Sequence, residues 1–444
     1  MKFKKILNKN VLILAISFIN SSFIYFILLI DKIFNYPEIY FALYLTAGVY
    51  KNDPRLDFLP KYFDLTIFFE LFVFLSILYI LLKNKKITFS FDSIKILISY
   101  IIFIFLIIFS TIYSIGPIYG INKLLRFLFI TTPAFFLPSF ILKDIKSFKR
   151  FIFIFIILSI LISFDIIKSG FSPYELSFKT ALGTNYLAVG RISGIGLIST
   201  LYLLFIDKNL IKKSLLLIIV CLILLNIFLS GGRGPILSLI STFLIIIFYL
   251  LINTHVRKDK LSKKLSFIII KYFFIIFILC FSLIIILQKY IITIFYRLSL
   301  LWQMKGYSIE VRLSLFNAAI KSIFNFPNFI TGLGLGGFNF YYTRYDISRG
   351  IYPHNIFLEI LSELGIIGFI IFTYILIKSF SNILNKIKTS ESKNEFYLNF
   401  IILTYLLFML INASTSGDLN DNRLFFLFLG ISQVYRKYYI QNKE

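Results

Sequence analysis

Cysteine and histidine are almost missing from this chain, with two copies of each in 444 residues. Cys221 and Cys280 both fall inside apolar runs, so no cysteine is left to cross-link an outer loop. His255 lies in a basic loop and His354 beside a distant apolar run, so neither has the second imidazole nearby that a zinc site needs. Acidic residues are scarce too, 21 against 46 Lys and Arg, for a net charge of +25. That excess looks like a nucleic-acid signal until the basic residues are placed. Most sit in short loops between apolar runs, where they set topology, and nucleic acid is excluded as a partner. Nothing after the first apolar run has the pattern of a signal-peptidase site, so that run is expected to remain as a signal anchor.

Apolar length is what the chain has in abundance. Hydrophobic residues make up 59% of it and mean hydropathy is +0.88, far beyond a soluble globule. Runs of about 17–23 apolar residues, long enough for ~30 Å of hydrocarbon, recur along the chain. Twelve are counted, at 11–30, 64–82, 96–115, 124–142, 151–167, 186–206, 214–230, 235–252, 266–288, 356–377, 397–413 and 423–435. Basic clusters occupy alternate loops, among them Lys2 to Lys9, Lys83 to Lys86, Lys143 to Arg150, Lys208 to Lys213 and Arg257 to Lys264. The alternation predicts two cytoplasmic termini. The fold class is therefore an all-α polytopic membrane protein, a single transmembrane bundle over 1–444 with about twelve spans.

Two outer segments are long enough to hold structure of their own, 31–63 and 289–354. The first contains an aromatic stretch, Tyr40 to Tyr50, too short to span and expected to be re-entrant or interfacial. The second breaks the charge rule, with Arg297, Lys305, Arg312, Lys321, Arg344 and Arg349 against Glu310 and Asp346. Within it, Leu313, Phe316, Ile320 and Ile323 share one side of a helical pattern and Ser314, Asn317, Lys321 and Asn325 the other. This spacing predicts an amphipathic helix on the membrane or over the bundle, between spans nine and ten.

Glu70, Asp165, Arg191, Glu359 and Glu363 are charges stranded in apolar runs, each roughly one to three turns from the outer end. Such charges cost at least ~2.5–3.5 kcal/mol in hydrocarbon, so they mark a bundle interior or a wet cavity opening outward. Glu359 and Glu363, at i and i+4, share a helix face and need a cation. Arg191, at similar depth, is their expected partner, and Glu359, about one turn from His354, is also placed to orient the imidazole.

Four sequence pieces stand around these charges. Ser230-Gly231-Gly232-Arg233-Gly234-Pro235 forms an outer hairpin that puts a forked guanidinium beside glycines, an arrangement suited to phosphate or to a tight turn against headgroups. Glu310-Val311-Arg312 opens the amphipathic helix. Gly332-Leu333-Gly334-Leu335-Gly336-Gly337 matches a dinucleotide fingerprint in form alone, because no βαβ unit surrounds it. Its glycines suit close backbone approach or, alternatively, amides facing an anion. His354-Asn355 stands at the mouth of span ten, and an imidazole with pKa near ~6.5 suits proton abstraction near neutral pH.

In order and spacing, these pieces resemble the O-antigen ligase and O-antigen polymerase family of bacterial envelope enzymes, over roughly 185–372. Leu358-Glu359 and Glu363-Leu364-Gly365-Ile366-Ile367-Gly368 complete the likeness, and Gly232 departs from it where many relatives carry serine. The resemblance implies a bacterial inner-membrane glycosyltransferase that is inverting and needs neither metal nor cofactor. The donor would be a glycan on undecaprenyl diphosphate. The acceptor would be lipid A core or a second lipid-linked glycan, at the periplasmic face. Arg233 and Arg312 would hold the diphosphate and His354 would be the base, with Arg191, Asn355, Glu359 and Glu363 in support. A transporter or flippase of lipid-linked saccharides is the rival reading, opposed by charges near one face rather than the midplane. An assembly scaffold docked by the basic loop is a third.

Overall fold

The computed structural model describes residues 34–60, 62–84, 91–142, 144–169, 180–256, 307–324, 327–345 and 350–434, with 263, 266–272, 274, 275 and 278. Eight helices are long and apolar enough to cross a membrane. They are α2 (Leu65–Asn84), α4 (Pro117–Ile141), α5 (Ile145–Lys168), α6 (Tyr186–Ile206), α7 (Leu210–Ser230), α8 (Arg233–Val256), α12 (Ile356–Lys388) and α13 (Lys393–Ala413). Two shorter apolar helices, α3 (Ile94–Ser110) and α14 (Arg423–Ser432), fall on further predicted spans. Of the remaining two, 11–30 lies outside the described residues and 266–288 is described only in part, with 266–272 helical.

Caps punctuate these helices as their sequences direct. Asp144 and Ser147 close a capping box on α5, and the side chains of Asn185, Asn209 and Asn355 accept from the first free amides of α6, α7 and α12. α6 and α13 form the centre, each with 83% of its apolar window buried. α5 and α7 pack on α6, α8 and α12 pack on α13, and α3 lies along α12. At the end away from His354, Lys386 pairs with Asp92 and donates to the carbonyls of Ser432 (2.8 Å) and Val434 (2.9 Å).

The aromatic stretch of 31–63 is not interfacial. Residues Pro37–Tyr50 form a helix, α1, whose Phe41, Ala42, Tyr44, Leu45, Thr46 and Ala47 are fully buried against α2 and α5. It runs parallel to α5: Glu38 pairs with Arg150 at one end, and Arg55, held by Asp53, reaches Asp165 at 2.8 Å at the other. The 15 residues from Arg150 to Asp165 rise about 22 Å, so α1 and the turn after it run alongside most of α5. Asp165, expected near the site, is thereby engaged by Arg55.

α4 carries a π-turn at Phe127–Thr131. Pro133 has no N–H to donate to the carbonyl four residues earlier, and that carbonyl, of Phe129, instead accepts from the Tyr44 hydroxyl at 2.7 Å. A buried helix thus repairs the defect that a proline leaves at membrane depth.

The amphipathic helix is present as α9 (Tyr307–Ile323), rotated from its expected face. Leu315, Ala319, Ser322 and Ile323 are buried, and α9 packs on α12, while Leu313 and Ile320 are exposed. Small Ala319 and Ser322 permit the close approach that the larger side chains prevent. Beyond it, α10 (Asn328–Thr331) and α11 (Gly337–Thr343) flank the glycine-rich turn. That turn is a backbone wedge: Leu333 N–H donates to Ser362 O at 2.9 Å, and Leu333 O accepts from Ile115 N–H at 3.2 Å. Gly332 and Gly365 both have positive φ, 76° and 64°, and face each other so closely that a Cβ on Gly365 would lie 2.7 Å from the Gly332 nitrogen. The close backbone approach open to these glycines is present, and the Gly332, Leu333 and Gly337 amides are bonded within the protein.

Candidate functional site

One end of the bundle gathers the chemistry. His354 and Asn355 begin α12, Arg191 lies on the second turn of α6, Arg233 opens α8, and Arg312 comes from α9. Asn355 is chiefly structural: its Oδ1 caps α12, and its Nδ2 donates to Ser414 O at 2.9 Å. That contact fastens α12 to the nine-residue connection 414–422 between α13 and α14, which is polar yet buried from Ser416 to Asn420 and at Asn422, with Asp421 exposed.

This connection dips into the bundle, which is why α14 is only 10 residues long. Asn420 donates to Lys123 O at 2.9 Å and accepts from Thr131 at 3.0 Å, and Leu419 N–H donates to Glu359 Oε1 at 3.1 Å. Asp418 accepts from the amides of Asn420 and Asp421 at 3.0 and 2.6 Å. Irregular backbone at such depth is tolerated only when its polar groups are satisfied in this manner.

The expected pairing of Glu359 and Glu363 with Arg191 is replaced by another. Lys123, fully buried on α4, sits 2.5 Å from Glu359 Oε1 and 2.5 Å from Glu363 Oε2. The lysine escapes notice in the sequence because the apolar run starts at 124, whereas Pro117 in the first turn starts the helix two turns earlier. Glu359 makes no hydrogen bond to His354: its Oε1 takes Lys123 and the Leu419 amide, and its Oε2 and the His354 Nδ1 each have no partner. Both glutamates therefore clamp α4 to α12 and hold the 414–422 connection in place.

Arg191 instead faces the opposite side of that connection, within electrostatic range of Asp421, Tyr352, Asp418 and Arg312, and its Nε has no hydrogen-bond partner. Arg312 is also within range of both His354 and Arg233. Arg233, Arg312, Arg191 and His354, far apart in sequence, are thus brought together. His354 has φ of 57°, its ring lies 4.4 Å from that of Tyr352, and its buried Nδ1 makes no hydrogen bond. Burial, then the guanidiniums of Arg312 and Arg191, hold its imidazole down at about 4, against an upward pull from Asp418. At neutral pH it is an uncharged ring with a free acceptor nitrogen.

Beside this cluster opens a cavity of about 760 Å³ between α1, α2, α4, α6 and the 414–422 connection. Glu70, the last of the stranded charges, lines it, as do Arg191 and Tyr352.

Residues 215–373 match the family described as O-antigen ligase. No curated relative matches the chain. The match includes Arg233, Arg312, His354, Asn355, Glu359 and Glu363, but Lys123, Arg191 and the 414–422 connection lie outside it.

Two outcomes follow from this geometry. Lys123→Met leaves two buried carboxylates without their cation and should cost about 3–5 kcal/mol, read as a lowered Tm and loss of the monodisperse peak in detergent. The triple change Lys123→Met, Glu359→Gln, Glu363→Gln should recover most of it; a Lys123→Met protein as heat-stable as the wild type contradicts the clamp. NMR titration should find one of the two imidazoles, that of His354, with a pKa near about 4. In Arg312→Gln it should rise toward the ordinary ~6.5, since a like charge is removed. An unchanged value would separate Arg312 from His354.

Proposed function

Proceeding from a multi-pass membrane protein with an O-antigen ligase domain at 215–373, we propose that it transfers a glycan from undecaprenyl diphosphate to an acceptor hydroxyl at the periplasmic face of the bacterial inner membrane. The supporting observation is that Arg312 stands within electrostatic range of both Arg233 and a neutral His354 with unengaged Nδ1.

In this reading Arg233 and Arg312 hold the diphosphate, their planar forks matching its oxygens. His354 Nδ1 accepts the proton of the acceptor hydroxyl as its oxygen bonds to the anomeric carbon from the face opposite the leaving group, with inversion. The bond from that carbon to the diphosphate oxygen breaks, and the electron pair leaves with the diphosphate. Guanidiniums fixed in a water-poor cleft meet the developing charge without reorganising. Arg191 adds to this field. Bound diphosphate would also offset the cationic field on His354 and raise the basicity of its imidazole when the donor is in place. No metal or cofactor is called for.

The acceptor is lipid A core for a ligase and another carrier-linked repeat for a polymerase. His354→Ala and Arg233→Ala should each abolish transfer while leaving the protein folded in the membrane; full activity in either contradicts that residue's role. Gel analysis of envelope polysaccharide from a deletion strain separates the two acceptors. Bare core with long chains still on carrier indicates a ligase, and single repeats capped onto core indicate a polymerase.

A further inference from the structure

The cavity beside the cluster carries charges that the donor reading does not use. Its wall includes four cations, Lys51, Arg126, Arg191 and Arg423, and three acids, Asp64, Glu70 and Asp421. Lys51 pairs with Asp64 at 3.3 Å, and Arg126 pairs with Asp421 at 3.2 Å and with Asp418 at 3.5 Å. Arg191 and Arg423 form no ion pair among the described residues, and Glu70 is the one acid of the wall not already paired. Both guanidiniums line the cavity with no direct ion pair of their own, and the nearby Asp421 that they share is already bonded to Arg126, a costly arrangement for buried cations.

Shape and access add to charge. The space has the size of a ligand pocket. Its side between α2 and α4 is formed by Ile67, Leu125 and Phe129, which are 67%, 47% and 61% exposed. An amphiphile could thus approach from hydrocarbon with its headgroup leading. On the inner side the wall is Arg191 and Tyr352, and Tyr352 touches the His354 ring. The cavity wall therefore reaches the ring that touches the base, and Arg233 and Arg312 are not part of it.

We propose that this cavity seats the phosphate-bearing headgroup of the acceptor lipid, which enters sideways between α2 and α4 and is held by Arg423 and Arg191. The proposal rests on the glycan-transfer reading and extends it to a second, separate lipid site. Glu70 is left to accept from sugar hydroxyls. The acceptor then reaches His354 from one side while the donor diphosphate occupies Arg233 and Arg312 on the other.

The test uses the purified full-length chain and four probes: bis-phosphorylated lipid A, its dephosphorylated form, phosphatidylglycerol and undecaprenyl diphosphate. Arg423→Gln removes a holding charge. Gly48→Leu keeps every charge but fills the space, because a Cβ there meets only the tip of Arg423, at 2.6 Å. Each should weaken binding of bis-phosphorylated lipid A about tenfold or more and leave undecaprenyl diphosphate binding unchanged, which also certifies the fold; Arg423→Met replaces Arg423→Gln should the latter not fold. The wild type should prefer the phosphorylated lipid A over the other two acceptor-side probes. The proposal is overturned by undiminished lipid A binding in both variants, by equal binding of phosphatidylglycerol, or by loss of undecaprenyl diphosphate instead. Failure of the donor reading is seen separately, as unimpaired undecaprenyl diphosphate binding in Arg312→Gln.

Discussion

A single ammonium between two carboxylates organises this end of the bundle. Lys123 joins α4 to α12 through Glu359 and Glu363, both inaccessible to solvent. Removing either side of such an ion cluster strands charge in a low dielectric, so the cluster fixes which helices meet and at what height. Glu359 in turn accepts from Leu419, which draws the polar 414–422 connection inward, and Asn420 is pinned to Lys123 O and Thr131. The π-turn of α4 and the glycine wedge at Gly332 and Gly365 are the backbone adjustments that let these elements come so close.

On that frame sits a site with its charge kept apart from its base. Burial, then Arg312 and Arg191, suppress protonation of His354, so the ring is available as an acceptor. Arg312 lies near enough to Arg233 to repel it, and a diphosphate held between them would relieve that repulsion.

The helices and the central motif are legible in the sequence because both are local signals. Apolar length announces the spans, and Arg233, Arg312 and His354 stand beside glycines and helix starts that give their surroundings away. Contacts across the chain are not legible in this way. The Lys123–Glu363 pair is 240 residues apart, and the lysine sits just before an apolar run, where it reads as a loop residue. The 414–422 connection looks like an ordinary loop because nothing in Ser-Thr-Ser-Gly-Asp-Leu-Asn-Asp-Asn says that it turns inward. α1 is too short to be read as a buried helix of the bundle, and only its packing against α2 and α5 reveals it as one. The exposed and buried faces of α9 also depend on small residues meeting α12, which hydropathy undervalues.

The central claim is that a lipid diphosphate is held by guanidiniums from α8 and α9 next to His354. Cryo-electron microscopy of the protein in nanodiscs with undecaprenyl diphosphate tests it most directly. The two phosphates should lie between Arg233 and Arg312 with the lipid tail in the membrane and His354 at the rim. Phosphate density at the far end of the bundle, near Lys386, or in the cavity by Arg423 with Arg233 and Arg312 unengaged, would contradict it.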